Sequence, residues 1–248
     1  MTGSTDPRST GARATPEWHE YSSAERLGAG LAEKLAAICV DALNERALAW
    51  LALAGGRTPL PAYRHLAGMP GIDWGRVVAV PTDERCVPHE HPACNLSELG
   101  NALHDANGIS IITLTRPDGD AEASAMFAQR ELNARAQPFD AVVLGMGADA
   151  HTASLFPGAA QLAAALDLQT HEDALRIDPD PLPPEAPFAR ITLTAKRLLR
   201  TRELHVVITG DAKRGVLERA LASGDVHAHP IAIVLQAPQA HLHLHWSP

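Results

Sequence analysis

The stretch FDAVVLGMGADAHTASLFPG, residues 139–158, decides the fold class. Its first half is a short apolar run that stops at Gly145 and Gly147, the pattern of a strand buried on both faces of a parallel sheet. Its second half sets His151 in a turn of small and polar residues, with Asp149 two positions earlier. Neither a packed core nor a plain surface loop calls for an imidazole there. A helix is expected to start near Thr152, which would point free N–H groups toward the region of His151.

The same beat recurs on either side. Upstream, ALAWLALAGG gives an apolar run ended by Gly55 and Gly56, followed by a helix from about Pro59 to Leu66. RVVAV runs into PTDER, SIITL into TRPDGD, and downstream ELHVVITG runs into DAKRG, then IAIVLQ follows. Alanine- and leucine-rich segments of helical character, such as 120–136 and 211–222, lie between the runs. Before them, Leu27, Leu31, Leu35, Ile38 and Leu43 recur at helical spacing within Ser22–Arg46, with Ser22 or Ser23 as N-cap and Glu25 in the first turn. Strands alternating with helices predict an α/β fold: a Rossmann-like, open, mainly parallel sheet with helices on both faces. Residues 1–15, small and polar without periodicity, read as a disordered leader. DPDPLPPEAP, 178–187, reads as a surface loop, which leaves 16–248 as a single α/β domain.

Composition narrows the function classes. The chain has 248 residues, 46% of them apolar, and a formal charge of −8. An acidic chain lacks the concentrated basic face that nucleic acid or an anionic membrane requires, so neither is expected as a partner. No stretch reaches the roughly 18 uninterrupted apolar residues of a membrane span. Cys39, Cys86 and Cys94 are odd in number and show no paired spacing, which fits a reducing cytoplasm.

In open parallel sheets ligands bind beyond the carboxyl ends of the strands. The loops at 55–59, 82–88, 147–154 and 210–214 are therefore where chemistry is expected. Gly55 and Gly56 before a helix, with Arg57 and the Thr58 hydroxyl as further donors, suit a phosphate or carboxylate; the same glycines also serve any strand that simply turns. Asp83, Glu84 and Arg85 read either as a solvated turn or as cleft groups, Arg85 for an anionic oxygen and Asp83 to order a hydroxyl or an imidazole. Asp149 is placed to orient His151. Arg190 and Lys213 are further cationic candidates. HLHLH, 241–245, puts His241, His243 and His245 on one face of an extended segment, a spacing that can bind zinc. A terminal strand with Leu242 and Leu244 on its other face explains it too, HEHPAC lacks a second ligand cluster, and no metal is assigned.

Taken together, LALAGGRTPLPAY, PTDERCVPHEHPACN, FDAVVLGMGADAHTASLFPG, ARITLT and VVITGDAKRGVLERAL, in that order between about 18 and 236, resemble the 6-phosphogluconolactonase family, which stands with the glucosamine-6-phosphate deaminases in a wider group of sugar-phosphate enzymes. The resemblance implies that Gly55, Gly56 and Thr58 hold a sugar 6-phosphate with Lys213 and Arg190. It further implies that Asp83 and Arg85 line the lactone end and that His151 is the catalytic base. The reaction it implies is hydrolysis of 6-phospho-D-glucono-1,5-lactone, in the cytoplasm, without a metal or redox cofactor. The chain departs from the family pattern at Arg57, where serine is frequent, at Ala150, where glycine usually precedes the histidine, and at Cys94, where serine often precedes the asparagine, here Asn95. Alanine at 150 requires that the position not need a glycine-only backbone angle. Two alternatives stay open. A deaminase or isomerase needs a further acid-base carboxylate, and TASLFPG after His151 lacks the nearby glutamate that deaminases carry. A non-catalytic sugar-phosphate sensor of this fold is usually fused to a DNA-binding region, for which the first 15 residues are too short.

Overall fold

The computed structural model describes residues 15–184, 186–237 and 239–248; apart from Thr15, the expected leader lies outside the described residues. Seven strands form one all-parallel sheet in the order β1 (Pro16–Glu20), β10 (His241–Ser247), β9 (Thr201–Thr209), β6 (Phe139–Gly145), β2 (Ala49–Leu53), β3 (Val77–Pro81), β5 (Ser110–Ile111). A second, antiparallel sheet joins β4 (Asp83–Arg85), β8 (Arg190–Leu193) and β7 (Ala174–Ile177). The expected α/β class therefore holds.

The apolar runs become central strands because both of their faces are covered. Every residue of β2 is buried. Ala49, Leu51 and Leu53 pack with α1 (Ala24–Glu45), α2 (Leu60–Ala67) and α3 (Asn95–Ala102), whereas Trp50 and Ala52 enter the core on the opposite side. That second core takes in α4 (Ala121–Asn133), α5 (Leu162–Leu166), α6 (Ala195–Leu199) and α7 (Asp211–Ser223). Helix α1 follows its leucine stripe: Leu27, Leu31 and Leu35 are buried, each worth about 1.5–3 kcal/mol, and Ser23 Oγ caps it by accepting the Arg26 N–H at 3.2 Å.

Several elements differ from the sequence reading. IAIVLQ is a 3-10 helix over Pro230–Gln236, not a strand; Ile231–Leu235 are buried throughout, and a short apolar run carries no periodicity that separates the two. ARITLT and TDER leave the parallel sheet to pair with each other. SIITL contributes only a two-residue edge strand. β1 and β7 have no counterpart in the sequence reading. The strand HLHLH does form, between β1 and β9, with Leu242 and Leu244 in the core; its other face is no free surface because α1 packs over it, and His245 is fully buried.

The order in which strands are added reverses between the parallel neighbours β2 and β6. From β2 the sheet grows through β3 to β5 on one side, and from β6 through β9 to β10 on the other. The strand ends separate at such a switch point and leave a crevice for a ligand.

Candidate functional site

A cavity of about 560 Å³ opens over that crevice. Gly55, Gly56, Arg57 and Thr58 line it from the end of β2, Asp83 and Arg85 from β4, His151 from the turn after β6, Arg190 from β8 and Lys213 from the first turn of α7. Of the expected site residues only Asp149 stands off the wall, and it touches His151. Four cationic side chains, Arg57, Arg85, Arg190 and Lys213, meet one carboxylate, Asp83, among the described lining residues. A chain with a formal charge of −8 has thus gathered a local positive field at the mouth of its sheet.

The turn after β6 is closed on itself. Gly147 N–H donates to His151 O at 2.9 Å, Ala150 N–H to Gly147 O at 3.1 Å, and Thr152 Oγ1 to Gly145 O at 2.9 Å. No helix starts at Thr152, contrary to expectation. Its hydroxyl is committed to Gly145, Ala153 has a φ of +46°, and Phe156 precedes Pro157, which disfavours helical backbone; the next helix is α5. Ala150 corrects a second expectation. Its φ is +65°, so the position does take a left-handed angle, at a cost of about 1–2 kcal/mol for an L residue. A fully buried methyl group and the Ile231 N–H bonded to Ala150 O at 3.0 Å offset that cost.

His151 is oriented by Asp149. Its ring Nδ1 lies 2.6 Å from Asp149 Oδ1, and its backbone N–H donates to the same oxygen at 3.2 Å. Partial burial raises the Asp149 carboxyl, but the hydrogen bonds and charge of His151 outweigh that and hold it below its ordinary value. An ionised carboxylate only accepts, so Nδ1 carries the proton and Nε2 keeps its lone pair. The ring packs on Phe156, with centroids 4.3 Å apart. A Cβ built on Gly147 would collide with the His151 imidazole, so glycine there is what lets the ring sit down.

The wall opposite is rigid sheet where a loop is expected. Register pairs Arg85 with Arg190, two like charges across one antiparallel pair. That arrangement is unfavourable without an anion nearby. Arg85 Nη1 donates to Ala93 O at 2.6 Å and Arg190 Nη2 to Ala186 O at 2.8 Å. Arg190 is only 3% exposed, and its Nη1 has no partner among the described residues. Asp83 accepts the Ser154 hydroxyl, and Asn95 Nδ2 holds the Asp83 carbonyl at 2.7 Å. Lys213 Nζ donates to Met146 O at 2.7 Å; burial lowers its pKa, with Arg57 adding to the shift. Gly56 N–H points to Glu98 Oε2 at 3.3 Å, so the expected cradle presents Arg57 and Thr58 more freely than the Gly56 amide.

The model of the family described as glucosamine-6-phosphate isomerases/6-phosphogluconolactonase matches residues 22–246. The chain belongs to this family. Within the glucosamine-6-phosphate isomerase/6-phosphogluconolactonase family it is 34% identical over 234 residues to the 6-phosphogluconolactonase of Pseudomonas putida, covering 93% of this chain and 92% of that one. To the 6-phosphogluconolactonase of Rhizobium meliloti it is 34% identical over 232 residues, covering 93% and 98%. The crystal structure of a 6-phosphogluconolactonase from Shewanella baltica superimposes with a TM-score of 0.87 at 34% identity, over 94% of this chain and 98% of that one.

The sequence reading misses Ser154 and Glu98 as positioning residues, and it places Glu84 at a turn or in the cleft where the structure buries it. Glu84 turns inward between Asp83 and Arg85 and accepts the N–H groups of Arg85, Asn95 and Leu96, each at 2.7 Å. Burial pushes its carboxyl up to about 7 while those N–H groups pull it down. It ties the start of α3 to β4. Strand alternation in DER was the available signal, once β4 is known to be a strand. Ser154 and Glu98 carry no local signal, because their partners lie far away in sequence. Gly147→Ala is expected to displace the imidazole and lower kcat roughly 100-fold while product binding persists. Steady-state kinetics beside calorimetry with 6-phosphogluconate check this, and unchanged kcat would contradict the tight contact.

Proposed function

We propose that this chain hydrolyses 6-phospho-D-glucono-1,5-lactone to 6-phosphogluconate, the lactone-opening step of the oxidative pentose phosphate pathway. One observation carries the reading: an oriented imidazole and a cationic, glycine-flanked anion site line a single cavity of about 560 Å³, a size suited to one sugar phosphate. The family membership and the names of the relatives agree with it.

The lactone carbonyl is already electrophilic, so catalysis needs an activated water and a place for negative charge. His151 Nε2 takes a proton from water as the water oxygen bonds to C1 and the carbonyl oxygen becomes an oxyanion. Asp149 stabilises the imidazolium so formed. The oxyanion collapses, the bond from C1 to the ring oxygen breaks, and that oxygen takes the proton from Nε2 as it becomes a hydroxyl. The new acid loses its proton to solvent at neutral pH.

The phosphate is held by Arg57, Thr58, Lys213 and Arg190 at the Gly55–Gly56 turn, whose Gly56 amide is engaged by Glu98. Arg85, opposite Arg190 in register, lines the lactone end, where its guanidinium stabilises the oxyanion. Asp83, fixed by Ser154 and Asn95, accepts a sugar hydroxyl. Binding the non-reacting phosphate positions C1 against Nε2, which is how a remote group contributes to rate.

We take residues 16–248 as one lactonase domain, because β1 and β10 from the two ends of that span pair within one sheet. No helix among the described residues is long and apolar enough to cross a membrane. The three free cysteines fit a reducing compartment, and a cytoplasmic enzyme without nucleic-acid partners is the reading that goes with them and with the acidic charge. The test follows acid release from freshly generated 6-phosphogluconolactone, corrected for spontaneous opening, beside ammonia release from glucosamine 6-phosphate. Acid release accelerated by the protein, with no ammonia, is expected; ammonia without accelerated acid release would replace the lactonase by a deaminase.

A further inference from the structure

On the face of the large sheet that α1 covers, the apolar pattern of β2 and β6 gives way to imidazoles at the β9–β10–β1 edge. Register sets Glu17 beside His243, His19 beside His245, and His243 beside His205. Two imidazole nitrogens and the two oxygens of one carboxylate, from two strands, then converge. His19 Nε2 is 3.0 Å from His243 Nδ1 and 3.4 Å from Glu17 Oε1, and His243 Nδ1 is 3.5 Å from Glu17 Oε2. His241 of the same triplet is exposed and outside the group.

We propose that Glu17, His19 and His243 form a binding site for a divalent transition metal of the zinc class, separate from the lactone cavity, with water as fourth ligand. Zinc bonds of about 2.0–2.1 Å to nitrogen and oxygen place tetrahedral ligand atoms about 3.3–3.4 Å apart; the two ring nitrogens here stand 3.0 Å apart, and each has one oxygen of the Glu17 carboxylate 3.4 or 3.5 Å away. The donor set of two imidazoles and a carboxylate is one this class of ion prefers. The tautomer is also set. Glu203 Oε2 lies 2.8 Å from His243 Nε2, so that nitrogen carries the proton and Nδ1 presents its lone pair to the centre of the group. Without an ion, one proton between His19 and His243 serves both ring nitrogens, and Glu17 stands at ion-pair distance, 3.4 and 3.5 Å, without a hydrogen bond to either ring. A cation satisfies all three lone pairs at once. The Glu17 side chain is 64% exposed, whereas His19 and His243 are 15% and 12% exposed, which leaves one open side for exchange and water.

The geometry is confined to β1 and β10, away from the strand ends that carry the cavity, so the readout is metal uptake and not activity. Equilibrium dialysis of the full chain against Zn²⁺ is expected to give one ion per chain, and Co²⁺ is expected to produce the intense visible bands of four-coordinate geometry. His19→Gln and His243→Gln should each abolish those bands and the uptake. Glu203→Gln, which keeps the ligands and removes only the orienting carboxylate, should weaken Zn²⁺ binding by about 10- to 100-fold. Because His243 is largely buried and its variant can misfold, a second measurement uses the unaltered protein: Zn²⁺ should protect His19 and His243 from diethylpyrocarbonate, as read by mass spectrometry. No uptake, uptake that survives both histidine substitutions, or modification of both residues at an unchanged rate under saturating Zn²⁺ would overturn the proposal.

Discussion

Replacing His151 by alanine lowers kcat for lactone hydrolysis by roughly 100- to 10,000-fold, the range that removal of a positioned general base commands. The expectation follows from the proton inventory of the turn. Asp149 holds Nδ1–H, so Nε2 is the one ring atom free to accept a proton, and alanine removes it together with the imidazolium that later protonates the ring oxygen. Affinity for 6-phosphogluconate should be nearly unchanged, because the phosphate contacts lie on other elements. Steady-state kinetics and calorimetry on the variant separate the two quantities. Near-normal kcat would remove His151 from the mechanism, and equal losses in kcat and product affinity would show that the ring binds ligand without acting as base.

Lys213→Ala is expected to lower kcat/KM for the phosphorylated lactone by about 10- to 100-fold, corresponding to a charge-assisted hydrogen bond of about 1.5–3 kcal/mol. The same variant should treat the unphosphorylated glucono-1,5-lactone as the unaltered protein does. Lys213 enters the cavity from the first turn of α7 and is held there by Met146 O, so its loss leaves the His151 turn intact. Parallel kcat/KM measurements with the two lactones decide the matter. An equal loss on both substrates would make Lys213 a support of the turn through Met146 and not a phosphate ligand.

The parts of this protein legible in its sequence are those in which one segment carries its own signal. Buried strands such as Ala49–Leu53 announce themselves by apolar runs, α1 by its leucine spacing, and the strand-end loops by glycine beside charge. Every expected site residue but Asp149 lines one cavity: parallel topology brings the loops after β2, β6 and β9 together, and the antiparallel pair β4–β8 adds Asp83, Arg85 and Arg190. What the sequence could not disclose depends on pairing between distant segments. That Arg85 would oppose Arg190 follows from an antiparallel sheet that sequence alternation does not announce. The helix expected at Thr152 fails because its hydroxyl is drawn to Gly145 and two alanines, Ala150 and Ala153, adopt positive φ, an angle their identity argues against. HLHLH alone was no better than a terminal strand, since the partners that make His243 a candidate ligand, Glu17 and His19, stand more than two hundred residues away on β1.

The most direct test of the central claim is a crystal structure of the protein with 6-phosphogluconate bound. The account predicts the phosphate against Arg57, Thr58, Lys213 and Arg190, and the C1 carboxylate within about 3 Å of His151 Nε2. A ligand seated the other way round, with its phosphate at His151, or one bound outside the cavity, would contradict it.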